Sequence, residues 1–309
     1  MMSTENKEAD MMMCCASCGV AEIDDIKLKD CNGGCDLVKY CSVDCQDNHR
    51  PEHAGECKKR LAELRDRDLF TQPDESHLGE CPICCFPMPV DAEKSMFMAC
   101  CSQLICNGCH YTNSKRELDA GLEQRCPFCR EPMPESKEEP NKRCMKRIKE
   151  NNDPSAMTHM GMKHYHEGDY EKAFKYSKKA AALGDASAHF ALSCLYRKGQ
   201  DVKKDAKKKI HHLEEAAMKG HPTARHNLGC IEFNNGNFER ARNHFIIAAN
   251  LGYHDSLQAL RQMYADGYAS KEVYASALRE YQAAVDATKS EERERAEKTI
   301  KSGEMRYAF

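Results

Sequence analysis

The sequence predicts a multi-domain chain: two small zinc-stabilised modules followed by an all-α helical-repeat solenoid. Three observations carry that expectation. Seventeen of the 20 cysteines fall between Cys14 and Cys129, in two separate ladders of metal-ligand spacing. A pair of sequence landmarks recurs four times between residues 154 and 288. No stretch approaches the roughly 18 apolar residues that a membrane span needs.

The first residues, MMSTENKEAD, place acidic side chains before any apolar run and do not read as a signal peptide. Thiols in a reducing compartment stay available for metal, so the cysteines are expected as ligands rather than disulfides, in cytoplasm or nucleus. The formal charge of −3 counts every cysteine as neutral. Binding of four zinc ions by fifteen thiolates would take it to about −10. Non-specific nucleic-acid binding, which runs on positive charge, is therefore not expected. No motif for a nucleotide cofactor or for a nucleophile with its base is present.

In the first ladder the candidate ligands are Cys15, Cys18, Cys31, Cys35, Cys41, Cys45, His53 and Cys57. They pair as Cys-x-x-Cys, two Cys-x-x-x-Cys and His-x-x-x-Cys, and each pair can chelate one edge of a tetrahedron. Residues 15–57 are too few for an ordinary core, so metal must supply folding energy. Cys14 would lengthen the first pair and is left out. The segment resembles the MYND-type zinc finger, through KYCSVDCQ at 39–46 and the step from Cys45 to His53 closed by Cys57. That resemblance implies interleaved sites: Cys15, Cys18, Cys41 and Cys45 on one zinc, and Cys31, Cys35, His53 and Cys57 on the other. MYND fingers usually carry a tryptophan three residues before the histidine. Arg50 stands there, and the chain has no tryptophan. After Cys57, KKRLAELRDRDLF reads as a short charged helix and TQPDESHLGE as a linker.

The second ladder offers Cys81, Cys84, Cys100, Cys101, Cys106, Cys109, Cys126 and Cys129. Three Cys-x-x-Cys knuckles indicate two zinc ions. Gln103 stands where a common RING finger has a histidine ligand. CCSQLICNGC…CPFCREPMPE is similar instead to the all-cysteine RING finger of ubiquitin ligases associated with the deadenylase complex. That type separates its third and fourth ligands by one residue, whereas Cys100 and Cys101 are adjacent. The resemblance implies a cross-brace, with Cys81, Cys84, Cys106 and Cys109 on one zinc and Cys100, Cys101, Cys126 and Cys129 on the other. It also implies a partner, a ubiquitin-conjugating enzyme charged with ubiquitin, and no catalytic residue of the chain's own. Ile83 matches the apolar contact to that enzyme, Pro127 the residue shaping the last knuckle, and Arg130 the linchpin that bridges enzyme and ubiquitin. Cys85 is read as a free thiol and His110 as a surface or packing residue rather than a metal ligand.

EPMPESKEEPNKR reads as an exposed linker leading into a helix at CMKRIKE. Beyond it, one landmark is an aromatic with glycine three residues later: YHEG (165–168), YRKG (196–199), FNNG (233–236) and YADG (264–267). The other is a double alanine, in KAAALGD, EAAMKGH, IAANLGY and QAAVDAT. These copies look like the Sel1-like repeats, kin of tetratricopeptide repeats, which implies helix–turn–helix units and a concave surface that binds a protein substrate or complex subunit. The aromatics are expected in the core between helices, and Cys194 and Cys230 as buried small residues. Lys203, Lys204, Lys207, Lys208 and Lys209 fall in a long insert of the second copy. The expected division is 1–13 disordered, 14–57 first finger, 58–79 helical linker, 80–133 second finger, 134–153 linker, 154–288 repeats, and 289–309 a charged tail capping the stack. The favoured function is a RING-type ubiquitin ligase; the rival is a zinc-finger scaffold without transferase activity.

Overall fold

The computed structural model describes residues 14–22 and 26–303; the stretch expected as a disordered N-terminus and the last six residues of the tail lie outside the described residues. The described chain divides into two compact units, one ending at Thr71 and the other starting at Gln72.

In the first unit, β1 (Lys29–Asp30) and β2 (Lys39–Tyr40) form a minimal antiparallel ladder with Lys29 opposite Tyr40. A single helix α1 (Val43–Phe70) follows. The Ser42 hydroxyl caps it by accepting from the Cys45 N–H at 3.2 Å. The segment expected as a separate short helix is the second half of α1. Along all of α1 only His53, Cys57 and Leu69 are buried, so two of its three anchors are candidate ligands. The core of this unit is Cys15, Leu28, Cys31, Cys35, Tyr40 and Cys57.

The second unit begins with the other cysteine module. A hairpin of β3 (Ser95–Met98) and β4 (Gln103–Cys106), paired from Ser95↔Cys106 to Met98↔Gln103, leads into α2 (Asn107–Asp119). Its core again alternates thiols with apolar groups: Cys81, Met88, Met98, Ile105, Cys106 and Cys126.

After α3 (Glu139–Asn151), eight helices build the solenoid: α4 (Pro154–His166), α5 (Tyr170–Ala182), α6 (Ala186–Lys198), α7 (Ala206–Met218), α8 (Pro222–Asn234), α9 (Phe238–Asn250), α10 (His254–Ala265) and α11 (Lys271–Ala287). They are followed by α12 (Glu291–Ser302). From α4 to α9 every helix is 13 residues long. Aspartates punctuate the starts: Asp153, Asp169, Asp185 and Asp205 each accept from a backbone N–H three residues on. The double alanines Ala180–Ala181, Ala216–Ala217 and Ala248–Ala249 are buried, where small side chains let helices approach. Three aromatic landmarks make edge-on contacts between helices, Tyr165 on Tyr170, Tyr196 on Phe174 and Phe233 on Phe238, whereas Tyr264 of the fourth copy, expected in the core, is 42% exposed.

Four expectations need correction. The fourth double alanine is not core, since Ala283 is exposed and Ala284 half-buried. Cys194 and Cys230 are half-buried rather than buried. Lys207, Lys208 and Lys209 belong to the first turns of α7, because the Asp205 cap starts the helix inside the insert. The stretches read as linkers and cap are docked. The start of the second unit lies along the solenoid, with the His77 ring stacked 4.2 Å from that of His221 and the His77 backbone N–H donating to the Gly220 carbonyl. A Cβ on Gly220 would come within 2.6 Å of the Glu75 carbonyl oxygen, so only glycine permits that approach. In α3, Cys144 is fully buried against Ala99, Ala156 and Met160. Arg147 bridges Ser102 of the second module and Asp153 of the solenoid, at 2.7 and 2.8 Å. Finally, α12 packs on α2 of the cysteine module, not on the end of the stack.

Candidate metal centres

Four clusters of ligand atoms assemble among the described residues, each with all its atoms within 4.8 Å of one another. Two are in the first unit. Cys15, Cys18, Cys41 and Cys45 form one, with Sγ–Sγ separations of 3.5 Å for Cys18–Cys41 and 3.6 Å for Cys41–Cys45. Cys31, Cys35, His53 and Cys57 form the other, with Cys31 Sγ 3.8 Å from Cys57 Sγ and Cys35 Sγ 3.1 Å from His53 Nε2. A tetrahedral zinc with Zn–S bonds of about 2.3 Å has S–S edges of about 3.8 Å, so the donor set and spacing fit one zinc ion per cluster. His53 and Cys57 lie one turn apart on α1, and that turn aims both inward. Behind His53 stands His49, its ring stacked at 5.7 Å, with Nδ1 3.0 Å from the Tyr40 hydroxyl. The sequence reading did not single out His49, although it precedes His53 by one helical turn.

The other two clusters are in the second module. Cys81, Cys84, Cys106 and Cys109 come together, with 3.9 Å between Cys81 and Cys109 and 3.8 Å between Cys84 and Cys106. So do Cys100, Cys101, Cys126 and Cys129, with Cys101–Cys126 at 3.9 Å and Cys100–Cys129 at 3.3 Å. The pairs are interleaved along the chain, first with third and second with fourth. Adjacent side chains ordinarily diverge, and the hairpin turn resolves this for Cys100 and Cys101. The Cys101 and Ser102 N–H groups both donate to the Met98 carbonyl, and Ser102 is left-handed at φ 56°. That tight turn brings both thiols to one cluster.

Three knuckles share one local device. In each, the residue after the second cysteine donates to the carbonyl of the first and adopts positive φ: Gly19 (73°), Cys85 (56°) and Arg130 (65°). A left-handed non-glycine residue costs roughly 1 kcal/mol or more, sustained here by the cluster that the turn closes. Cys85 is exposed, and its conformation belongs to the knuckle. Backbone N–H groups also face the sulfurs, as from Cys109 to Cys106 Sγ at 3.4 Å and from Cys129 to Cys126 Sγ at 3.5 Å. Such donors favour the thiolate that a metal requires.

Ile83 is 41% exposed at the tip of the first knuckle, and Phe128 is 47% exposed at the tip of the last. Pro127, before Phe128, is half-buried. Arg130 is engaged within the module: its guanidinium donates to Glu117 at 2.6 Å and to Asn113 Oδ1 at 3.0 Å. Glu117 has no exposed surface, and its second oxygen accepts from the Arg125 N–H and the Asn113 amide. Burial alone would raise the Glu117 carboxyl; the Arg125 N–H and the Arg130 guanidinium outweigh it and hold it below the usual carboxylate value. The sequence reading missed Glu117 and Asn113, because nothing in the local pattern points eight or more residues ahead. Of the two positions open to His110, surface or packing, the structure shows the buried one, and burial lowers its imidazole.

A cleft of about 790 Å³ opens where the second module faces α4, α6 and α8, between side chains such as Phe97, Leu104, Tyr165 and Phe190. The solenoid surface over α4, α6 and α8 is thus partly faced by the chain's own module.

Comparison with known proteins agrees with both ends of this architecture. Residues 15–57 match the family model of the MYND finger, a zinc-binding domain. Residues 154–185, 186–221 and 222–253 match that of the Sel1 repeat. Neither model reaches residues 81–129. No curated protein sequence matches the chain. Among solved structures, a Sel1 repeat protein from Oxalobacter formigenes is similar at 20% identity and a TM-score of 0.42, covering 63% of this chain and 86% of that one. A protective antigen of uropathogenic Escherichia coli strains displaying an SLR fold is similar at 19% identity and a TM-score of 0.39, covering 57% of this chain and 38% of that one. The chain is therefore an N-terminal cysteine-rich, zinc-binding region followed by an all-helical Sel1 repeat solenoid. Sel1 repeats generally mediate protein–protein interaction, so the coarse function is a protein-interaction scaffold. No helix of the described residues is long and apolar enough to cross a membrane.

Proposed function

We propose that this scaffold is a RING-type ubiquitin ligase. The observation that carries the reading is the interleaving of the second module: Cys81/Cys84 with Cys106/Cys109, and Cys100/Cys101 with Cys126/Cys129, the cross-brace order of RING fingers. In this reading four zinc ions are held by the sixteen ligands named above, and the ions lock the knuckles. Ile83 and the neighbourhood of Pro127 offer apolar contact to a charged ubiquitin-conjugating enzyme. The solenoid selects the protein substrate, and the MYND finger adds a second protein contact. The module contributes no nucleophile; it restrains the thioester so that attack becomes effectively unimolecular. Arg130 suits the linchpin role because a planar fork can donate to two acceptors.

A specific observation favours the rival, a scaffold without transferase activity. The Arg130 fork is already committed to Glu117 and Asn113, and a linchpin would have to share or leave those partners. One assay separates the readings. The zinc-loaded chain is incubated with activating enzyme, a panel of conjugating enzymes and ubiquitin. A ligase forms ubiquitin chains, and Arg130→Ala lowers their rate at least about 10-fold, the loss of roughly 1.4 kcal/mol of positioning. Absence of chains with every conjugating enzyme, or an unchanged rate in Arg130→Ala, leaves the scaffold reading.

A further inference from the structure

The charged tail has no place in the proposed function, yet it makes an unusual contact. Arg293, in the first turn of α12, is only 9% exposed. Its guanidinium reaches into the first knuckle of the second module. It donates to the Pro87 carbonyl at 2.7 Å and the Phe86 carbonyl at 3.2 Å, and lies 3.4 Å from Cys84 Sγ. A third carbonyl, that of Thr288, accepts at 2.7 Å and ties the same side chain to the end of α11. Its cationic carbon also stands 5.8 Å from the Phe86 ring centre.

The module is shaped to receive this residue. Gly108 lies between the ligands Cys106 and Cys109, and a Cβ there would come within 2.8 Å of both the Arg293 backbone nitrogen and its Cγ. The absent side chain is the notch through which α12 approaches. Lys94 and Glu297 close the far side with an ion pair at 3.5 Å.

We propose that Arg293 is the charge partner of the zinc centre of Cys81, Cys84, Cys106 and Cys109, delivered to it by the C-terminal helix. Four thiolates around Zn²⁺ leave a formal charge of about −2 in a largely buried place. No lysine or arginine of the first two knuckles offsets that charge: the residues between the cysteine pairs are Pro82, Ile83, Asn107 and Gly108. Arg293 supplies one positive charge directly at a ligand sulfur and a hydrogen bond that steadies it. Partners of this kind, one step removed from the metal, typically alter metal affinity by about 10–100-fold.

The proposal rests on zinc being held at this centre, and the two assumptions fail separately. Native mass spectrometry of the wild-type chain is expected to count four zinc ions; three or fewer would overturn the zinc assignment before any variant is made. Zinc release to a competing chelator is then followed with a metallochromic indicator on the full-length chain. In Arg293→Gln, one equivalent is expected to leave about 10-fold faster or more, with the other three at the wild-type rate and the helical circular dichroism retained. Arg293→Met, which keeps the packing stem, is expected to behave the same and replaces the glutamine variant if that one does not fold. Arg293→Lys, which keeps the charge, is expected to recover release to within about 3-fold of wild type, a rescue that mere packing would not give. Wild-type release from the uncharged variants, acceleration of all four equivalents together, or a lysine variant as fast as the glutamine one would each overturn the proposal.

Discussion

The cysteine modules and the solenoid solve the problem of folding in opposite ways. In the modules about half of the buried core is ligand: Cys15, Cys31, Cys35 and Cys57 beside Leu28 and Tyr40, and Cys81, Cys106 and Cys126 beside Met88, Met98 and Ile105. In the solenoid the core is alanine, leucine, methionine and phenylalanine, as in the cluster around Phe245, Leu260 and Met263. The first kind of core is conditional on metal, because buried thiolates without an ion repel one another. The second kind depends on shape and area alone. One chain therefore carries one part that senses its chemical surroundings and another indifferent to them.

The largest effect should come from metal removal. Structural zinc contributes on the order of 10 kcal/mol per site in small fingers. Chelation at neutral pH is expected to open the backbone of residues 14–57 and 80–133 to hydrogen exchange while α4 to α10 stay protected. Loss of protection in the modules and in α4 to α10 together would break the comparison. A smaller, mirrored effect is expected in the solenoid. Leu260 has no exposed surface, and Leu260→Ala should cost about 2–5 kcal/mol by denaturant unfolding. All four zinc ions should remain bound at low denaturant; loss of zinc in that variant would mean that the two cores are not independent.

The smallest effect concerns pH. Burial holds the His77 imidazole at about 4. The unfolded chain, with an ordinary histidine near 6.5, binds more protons below that value, so stability is complete above about 6.5 and falls toward pH 4. Between pH 7.5 and 5.5 the loss from His77 should be roughly 1 kcal/mol. Protonation of thiolates acts over part of the same range, so the measured quantity is the difference in slope between wild type and His77→Phe. Equal slopes would show that the stack on His221 opens without cost.

Much of this architecture was legible because both cores announce themselves in periodic form. Metal ligands come in knuckles, and repeats come with an aromatic, a glycine and a double alanine at fixed places. What the sequence did not display is docking between elements far apart in the chain. The residues before Cys81 read as a polar linker, since a stacked His77 has the same composition as an exposed one. The linker before Cys144 read as exposed, and nothing in the helix that follows announces the burial of Cys144, whose few apolar contacts are completed by Ala99 and Ala156. The tail read as a charged helix capping the stack, because one buried arginine cannot be told from its exposed neighbours by type. The Arg130–Glu117 pair was hidden for the same reason. In the fourth copy the alanines were present without the burial that gives them meaning.

The long helix α1 has a consequence of a mechanical kind. Its 28 residues make a rod of roughly 40 Å. The rod is held near its middle by His53 and Cys57, and between Cys57 and Leu69 no side chain is buried. Without those two anchors the remainder approaches the length, about 12–15 residues, below which an isolated helix is marginal in water. Zinc in the finger thus sets not only a local fold but the stiffness and reach of the chain that leaves it.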